Sequence, residues 1–211
     1  MCLYQLINGV YIKTLISSIP SRLSDKFALS MTMFFRFVAD TFFVDRYGHR
    51  AVVLETVAGV PGMVAGVLMH FKSLRSMKTG YGEGIREMLA EAENERMHLM
   101  FFIELTKPNY LERLLVFIAQ VVFGTFYLIM YLFFTRTAHR MIGYFEDEAV
   151  KSYTEYLTMV EEGKLENFQA PLLAINYYDL DRNAKLSDLI KAVRSDEEKH
   201  SQVNHAYADL I

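Results

Sequence analysis

The sequence predicts an all-α protein. Four prolines and eleven glycines in 211 residues leave long stretches uninterrupted, and alternating β-branched runs are few. Two stretches, "NERMH" and "SDEEKH", also set Glu and His three apart, as Glu95 with His98 and Glu197 with His200. On a helix such residues lie about 60° apart on one face and about 5 Å apart along the axis, so both side chains reach one ion. The length suits a single domain, read as residues 24–211 after an N-terminal arm at 1–23.

Composition removes several classes of function. A net charge of -3 argues against nucleic acid as a partner. The one cysteine, Cys2, excludes an intrachain disulfide, a cysteine zinc site and a thiolate-held cluster within one chain, so any metal must be held by carboxylates and imidazoles. The opening "MCLYQLINGVYIKTLISSIPSR" has no basic start followed by a clean apolar run and a small-residue cleavage site, and is read as an arm rather than a signal peptide.

Six helices are expected, at about 24–45, 49–77, 82–106, 109–138, 139–163 and 185–209, joined by turn-rich linkers such as "KTGYG" and "TKPN". The first presents a surface of Phe and Met broken by Lys26, Arg36 and Asp40. The second is apolar for some twenty residues except Glu55, a carboxylate that is costly there unless paired or bound to a metal. The third carries Glu95 and His98 and is too charged to cross lipid. In the fifth, His139, Glu146 and Tyr153 recur at intervals of seven and form one stripe, which selects Glu146 over Glu148, about 200° away around the helix. The last carries Glu197 and His200.

The fourth helix contains "LLVFIAQVVFGTFYLIMYLFF", uncharged between Arg113 and Arg136 and long enough to span a hydrocarbon core of about 30 Å. As the only span it would put Glu95 and His98 on the opposite side of the membrane from everything after Arg136, and these residues would share no ion. The expected resolution is that the first and fourth helices lie in one leaflet as a monotopic platform.

A two-metal carboxylate site in a helical bundle needs one Glu from each of two helices and Glu-x-x-His from each of two more. Glu55, Glu95, His98, Glu146, Glu197 and His200 meet that requirement, and their oxygen and nitrogen donors suit iron or manganese.

Four segments, "LETVAGVPGMV", "EAENERMHLMFFIEL", "FEDEAV" and "RSDEEKHSQVNH", resemble the signature segments of the alternative oxidases, the di-iron ubiquinol oxidases of mitochondria and some bacteria. The resemblance runs from about residue 30 to the C-terminus. It implies a ferritin-like four-helix di-iron carboxylate bundle with two additional membrane-associated helices, forming a homodimer, with the six residues above as ligands of two iron ions. It also implies supporting roles for Asn94, His139 and Asp196 beside the ligands, a catalytic role for Tyr153, and a quinol pocket lined by Arg50, Leu54, Arg75, Ala149 and Ser152. Phe145 and Asp147 stand where the family usually has Leu and Glu, Ser152 where it often has Thr, and Ser195 where Ala is usual; no Trp is present. The absence of a long insertion between Glu146 and Glu197 favours ubiquinol over plastoquinol.

The activity implied is oxidation of two ubiquinols with reduction of O2 to water and no proton pumping, on the matrix face of the mitochondrial inner membrane or the cytoplasmic face of a bacterial plasma membrane. The rival readings are a di-iron quinone-modifying hydroxylase, a non-enzymatic ferritin-like iron-binding protein, and a structural membrane protein whose Glu-x-x-His pairs are accidental. The first would need an external reductant, the second a cage-forming surface.

Overall fold

The computed structural model describes residues 19–43 and 46–211, and among these the only regular secondary structure is helical. The helices are α1 Leu23–Phe42, α2 Tyr47–Ser76, α3 Gly82–Thr106, α4 Tyr110–Phe133, α5 Thr135–Glu161, α6 Leu172–Tyr178 and α7 Leu186–Leu210. Most of the N-terminal arm, with Cys2, lies outside the described residues.

Two differences from the sequence reading have local causes. The break expected near residue 138 falls at Phe134, whose φ of -138° and ψ of 51° are not helical, so α5 begins a turn earlier. The linker before α7 contains the short helix α6, preceded by Pro171, which stands where a missing N–H costs nothing.

The described chain divides into two compact units, one of residues 19–38, 134–170 and 175–211, the other of residues 39–133 and 171–174. In the first unit α5 and α7 pack antiparallel. Arg140 meets His205 and Asp209 at one end, and Lys191 pairs with Glu161 at the other. The start of α1 is tied to α5 by polar contacts: Arg136 donates to Asp25 at 2.7 Å and to Ser24 at 3.0 Å, and Thr32 donates to the Met141 carbonyl at 3.4 Å. Further along, Arg36 reaches the carboxylate and the carbonyl of Glu148. With these contacts on one side, α1 leaves Phe27, Met33, Phe34 and Phe37 exposed.

In the second unit α2 and α3 pack antiparallel at close range because glycine permits it. A Cβ at Gly62 would collide with the Met88 carbonyl, and one at Gly66 would stand 2.8 Å from the Leu89 side chain. Gly59, one turn earlier, faces Ala92 and Glu95. The close approach brings the backbone of α2 against the stretch of α3 that carries Ala92 and Glu95.

The apolar α4 buries one stripe, Phe123, Tyr127, Met130 and Tyr131, and exposes Leu114, Phe117, Val121, Val122 and Ile129. By length and composition α2 and α4 are each able to cross a membrane. The start of α4 is fixed by charge. The Glu112 amide donates to Asn109 Oδ1 and the Asn109 amide to Glu112 Oε2, a reciprocal cap. The buried Glu112 also accepts from Arg46 at 2.9 Å and lies 2.7 Å from His49 Nδ1. Burial pushes the Glu112 carboxyl up, but the Asn109 amide, His49 and Arg46 together outweigh it and hold the group below the usual carboxylate value.

A carboxyl depressed in the folded state contributes stability above its unfolded value and loses that contribution as pH falls through its folded value. Glu112→Gln should therefore cost about 1.5–3 kcal/mol near neutral pH, the range for hydrogen bonds to a charged group. Denaturant unfolding in detergent should show the gap between parent and variant closing below about pH 4.

Candidate metal centre

Each unit brings together two carboxylates and one imidazole from an antiparallel helix pair. In the second unit, α2 supplies Glu55 and α3 supplies Glu95 and His98, exposed by 4%, 1% and 0%. His98 Nδ1 lies 3.4 Å from Glu55 Oε2 and 3.6 Å from Glu95 Oε2. In the first unit, α5 supplies Glu146 and α7 supplies Glu197 and His200, all buried, with His200 Nδ1 3.6 Å from Glu197 Oε2. Within each triad the candidate ligand atoms lie within 4.8 Å of one another.

These separations are long for hydrogen bonds and right for a shared cation. Two donors each about 2.0–2.2 Å from an ion stand roughly 3–3.5 Å apart. Two buried carboxylates side by side repel in a medium that screens charge poorly, and a divalent or trivalent cation removes that cost. The donors are oxygen and imidazole nitrogen with no thiolate, which suits iron or manganese. The residues present therefore fit a metal site held by carboxylates and imidazoles.

The remaining residues singled out in the sequence take varied positions. Asn94 is half-buried directly before Glu95. Asp196, directly before Glu197, accepts from Tyr178 at 2.9 Å and from Lys199 at 2.7 Å. His139 is buried, with Nδ1 3.1 Å from Asn204 Oδ1 and its ring stacked on Tyr207 at 5.1 Å. Burial pushes the His139 imidazole below its ordinary value, and the Asn204 contact offsets only part of that. Tyr153 is buried two turns past Glu146, about 10 Å along α5. Glu148, the alternative to Glu146, pairs with Arg36 and Lys151.

Of the residues expected around quinol, Arg50 is buried, donates to Asp40 at 2.6 Å and lies 5.0 Å from the Tyr47 ring centre. Leu54 follows one turn later, half-buried. Arg75 is exposed near the far end of α2, about 37 Å from Arg50 along the helix axis, so the structure does not bring these two arginines together. Ala149 and Ser152 are half-buried and share a face of α5.

Three contacts at the site escape the sequence reading. Asp147 beside Glu146 bonds to Ser201 and His205 on α7, Tyr178 bonds to Asp196, and Asp40 bonds to Arg50. Only one of them left a trace in the sequence: Glu197, Ser201 and His205 recur at intervals of four. Burial pushes the Asp147 carboxyl up, and the His205 and Ser201 contacts more than reverse it, leaving the group below its ordinary value.

Because clustered buried carboxylates oppose folding without a cation, Glu95→Gln or Glu197→Gln should stabilise the chelated protein while reducing its metal uptake. A gain of about 1 kcal/mol would raise the melting temperature by about 2–4 °C in a chain of this size. Calorimetry in chelator, paired with metal analysis of the untreated protein, measures both effects.

The comparisons with known proteins agree on one family. The family model described as alternative oxidase matches residues 10–209. The chain is 50% identical over 192 residues to ubiquinol oxidase 1c, mitochondrial, of Arabidopsis thaliana, covering 91% of this chain and 58% of that protein. It is 48% identical over 191 residues to alternative oxidase 3, mitochondrial, of Glycine max, covering 90% and 58%. It is 48% identical over 193 residues to ubiquinol oxidase, mitochondrial, of Batrachochytrium dendrobatidis, covering 92% and 61%. The chain thus spans about six-tenths of the length of these relatives. A match over nearly its whole length, with the buried Glu and His triads in place, means that the chain belongs to the alternative oxidase family.

Proposed function

We propose that this protein is a membrane-associated di-iron quinol oxidase that oxidises two ubiquinols for each O2 reduced to two waters, without pumping protons. The observation that carries the reading is the repeated triad of two buried carboxylates and an imidazole in a chain of this family. In the proposal Glu55, Glu95, His98, Glu146, Glu197 and His200 hold two iron ions, and residues 24–211 act as one oxidase domain. The iron pair supplies dioxygen binding and electron uptake.

The side chains around the ligands have separable tasks. Neutral His139, braced by Asn204 and stacked on Tyr207, keeps an uncharged imidazole in the interior of the first unit. Asn94 and Asp196 support the ligands that follow them. Tyr153 supplies one electron and its phenolic proton during oxygen reduction and regains both from quinol, so that no partly reduced oxygen leaves. Arg50, Leu54, Ala149 and Ser152 line the quinol path, with the Arg50 guanidinium fixed by Asp40 as a donor toward a quinol oxygen. Arg75 is assigned to the same path by resemblance alone.

A lipid-soluble substrate explains the exposed apolar faces of α1 and α4, which are proposed to lie in one leaflet on the matrix side of the mitochondrial inner membrane, the relatives being named mitochondrial. The same placement in a bacterial plasma membrane would be on the cytoplasmic side. A third exposed stripe, Met63, Val67, Phe71 and Leu74 on α2, is the proposed contact of a homodimer.

Oxygen uptake by purified protein with a short-chain ubiquinol and no other reductant tests the reading. Two quinols should be consumed per O2, with about two irons per chain; oxygen appearing in the quinone product would favour a hydroxylase, and iron without turnover a binding protein. Tyr153→Phe should keep fold and iron yet lose most turnover. Near-normal oxygen uptake in that variant would end the redox role and leave the metal assignment standing.

A further inference from the structure

We infer that Asp147, Ser201 and His205 form a register lock that positions the ligands of α5 against those of α7, an inference that rests on reading Glu146, Glu197 and His200 as metal ligands. Asp147 directly follows Glu146, and Ser201 directly follows His200. Asp147 Oδ1 accepts from Ser201 Oγ at 2.6 Å, and its Oδ2 lies 3.0 Å from His205 Nε2. One carboxylate is thus bonded twice to the neighbouring helix, one residue from a proposed ligand on each side.

The ring of His205 is held on every side. Arg140 Nη1 lies 2.9 Å from His205 Nδ1, and because a guanidinium only donates, Nδ1 must accept. Nε2 then carries the hydrogen and donates to Asp147, a tautomer assigned from the network. Above the ring stands Gly143, where a Cβ would lie 2.6 Å from His205 Nδ1 and Cε1. Tyr144 meets the same ring edge-on at 5.1 Å. The imidazole is wedged between the α5 backbone and its two bonded partners.

Helical period makes this contact act on the ligands. Glu197, Ser201 and His205 lie four residues apart, so one ridge of α7 carries both the ligand and the lock. Ser201 and His205 stand about 6 Å apart along α7 and grip the same carboxylate, so a slide of α7 along α5 would spoil the geometry of the bonds to Asp147. The short Asp147 side chain, facing the short hydroxyl of Ser201, requires the two backbones to be close, which Gly143 allows. Residues that orient ligands from outside typically change metal affinity about 10–100-fold when removed.

The test follows iron release to an excess of chelator from the full-length, iron-loaded protein, together with the melting temperature of the metal-free form. Ser201→Ala should release iron at least about 10-fold faster, and the loss of a buried hydrogen bond to a carboxylate should also lower the metal-free melting temperature. Ser201→Thr, which keeps the hydroxyl, should release at the parent rate. Asp147→Ala removes both acceptor oxygens and should release iron at least as fast as Ser201→Ala. Gly143→Ala should behave likewise by displacing the His205 ring. Parent-like release in both Ser201→Ala and Asp147→Ala would overturn the lock while leaving the metal site intact. Equal loss in Ser201→Ala and Ser201→Thr would also overturn it, because side-chain volume rather than the hydrogen bond would then be responsible. A parent chain that takes up no iron would defeat the underlying metal reading.

Discussion

Four buried carboxylates are the constraint on which the rest of this structure depends. Glu55, Glu95, Glu146 and Glu197 are each exposed by 4% or less, in company with His98 and His200. A buried carboxylate costs several kcal/mol unless its charge is met, and a neighbouring carboxylate adds to that cost. Such groups persist where rigid elements force them together and a cation removes the penalty on binding. Long helices meet that demand, since helical backbone satisfies its own hydrogen bonds and leaves the side chains for the metal.

The two units secure their helix pairs by overlapping devices. In the second unit the approach of α2 to α3 relies on absent side chains, with Gly62 and Gly66 admitting the backbone and side chains of α3. In the first unit α5 and α7 also pass closely, at Gly143, and bury apolar side chains, and a line of polar groups is added, from Arg140 with His205 and Asp209 through Asp147 with Ser201 to Lys191 with Glu161. Glycine contact fixes distance, whereas hydrogen bonds also fix register. Register matters most where the ligands on two helices must converge to within a fraction of an ångström.

Charge also places the apolar surfaces. The exposed faces of α1 and α4 gain nothing from packing within the chain, and beside the buried stripe of α4 and the buried Ala28 of α1, ion pairs near the helix starts fix them in place: Asp25 with Arg136 for α1, Glu112 with Arg46 and His49 for α4. Each acid is held below its ordinary pKa despite burial. Such attachment keeps an apolar helix in place while leaving its outer face exposed.

The sequence by itself determined whatever depends on neighbours a few residues apart. Glu-x-x-His was legible because helical period puts residues three apart on one face, Glu55 because it stood alone in an apolar run, and Glu146 because it shares a seven-residue stripe with His139 and Tyr153. The all-α class followed from the same local regularities. Tertiary structure decided what joins distant positions: Asp147 with Ser201 and His205, 54 and 58 residues on; Arg46 with Glu112, 66 residues on; Asp25 with Arg136, 111 residues on. It also decided the break at Phe134 and the close passage at Gly62, Gly66 and Gly143. No period connects such residues, because each pairing exists only once two helices have packed, and the same charged or small side chain would be equally at home facing solvent.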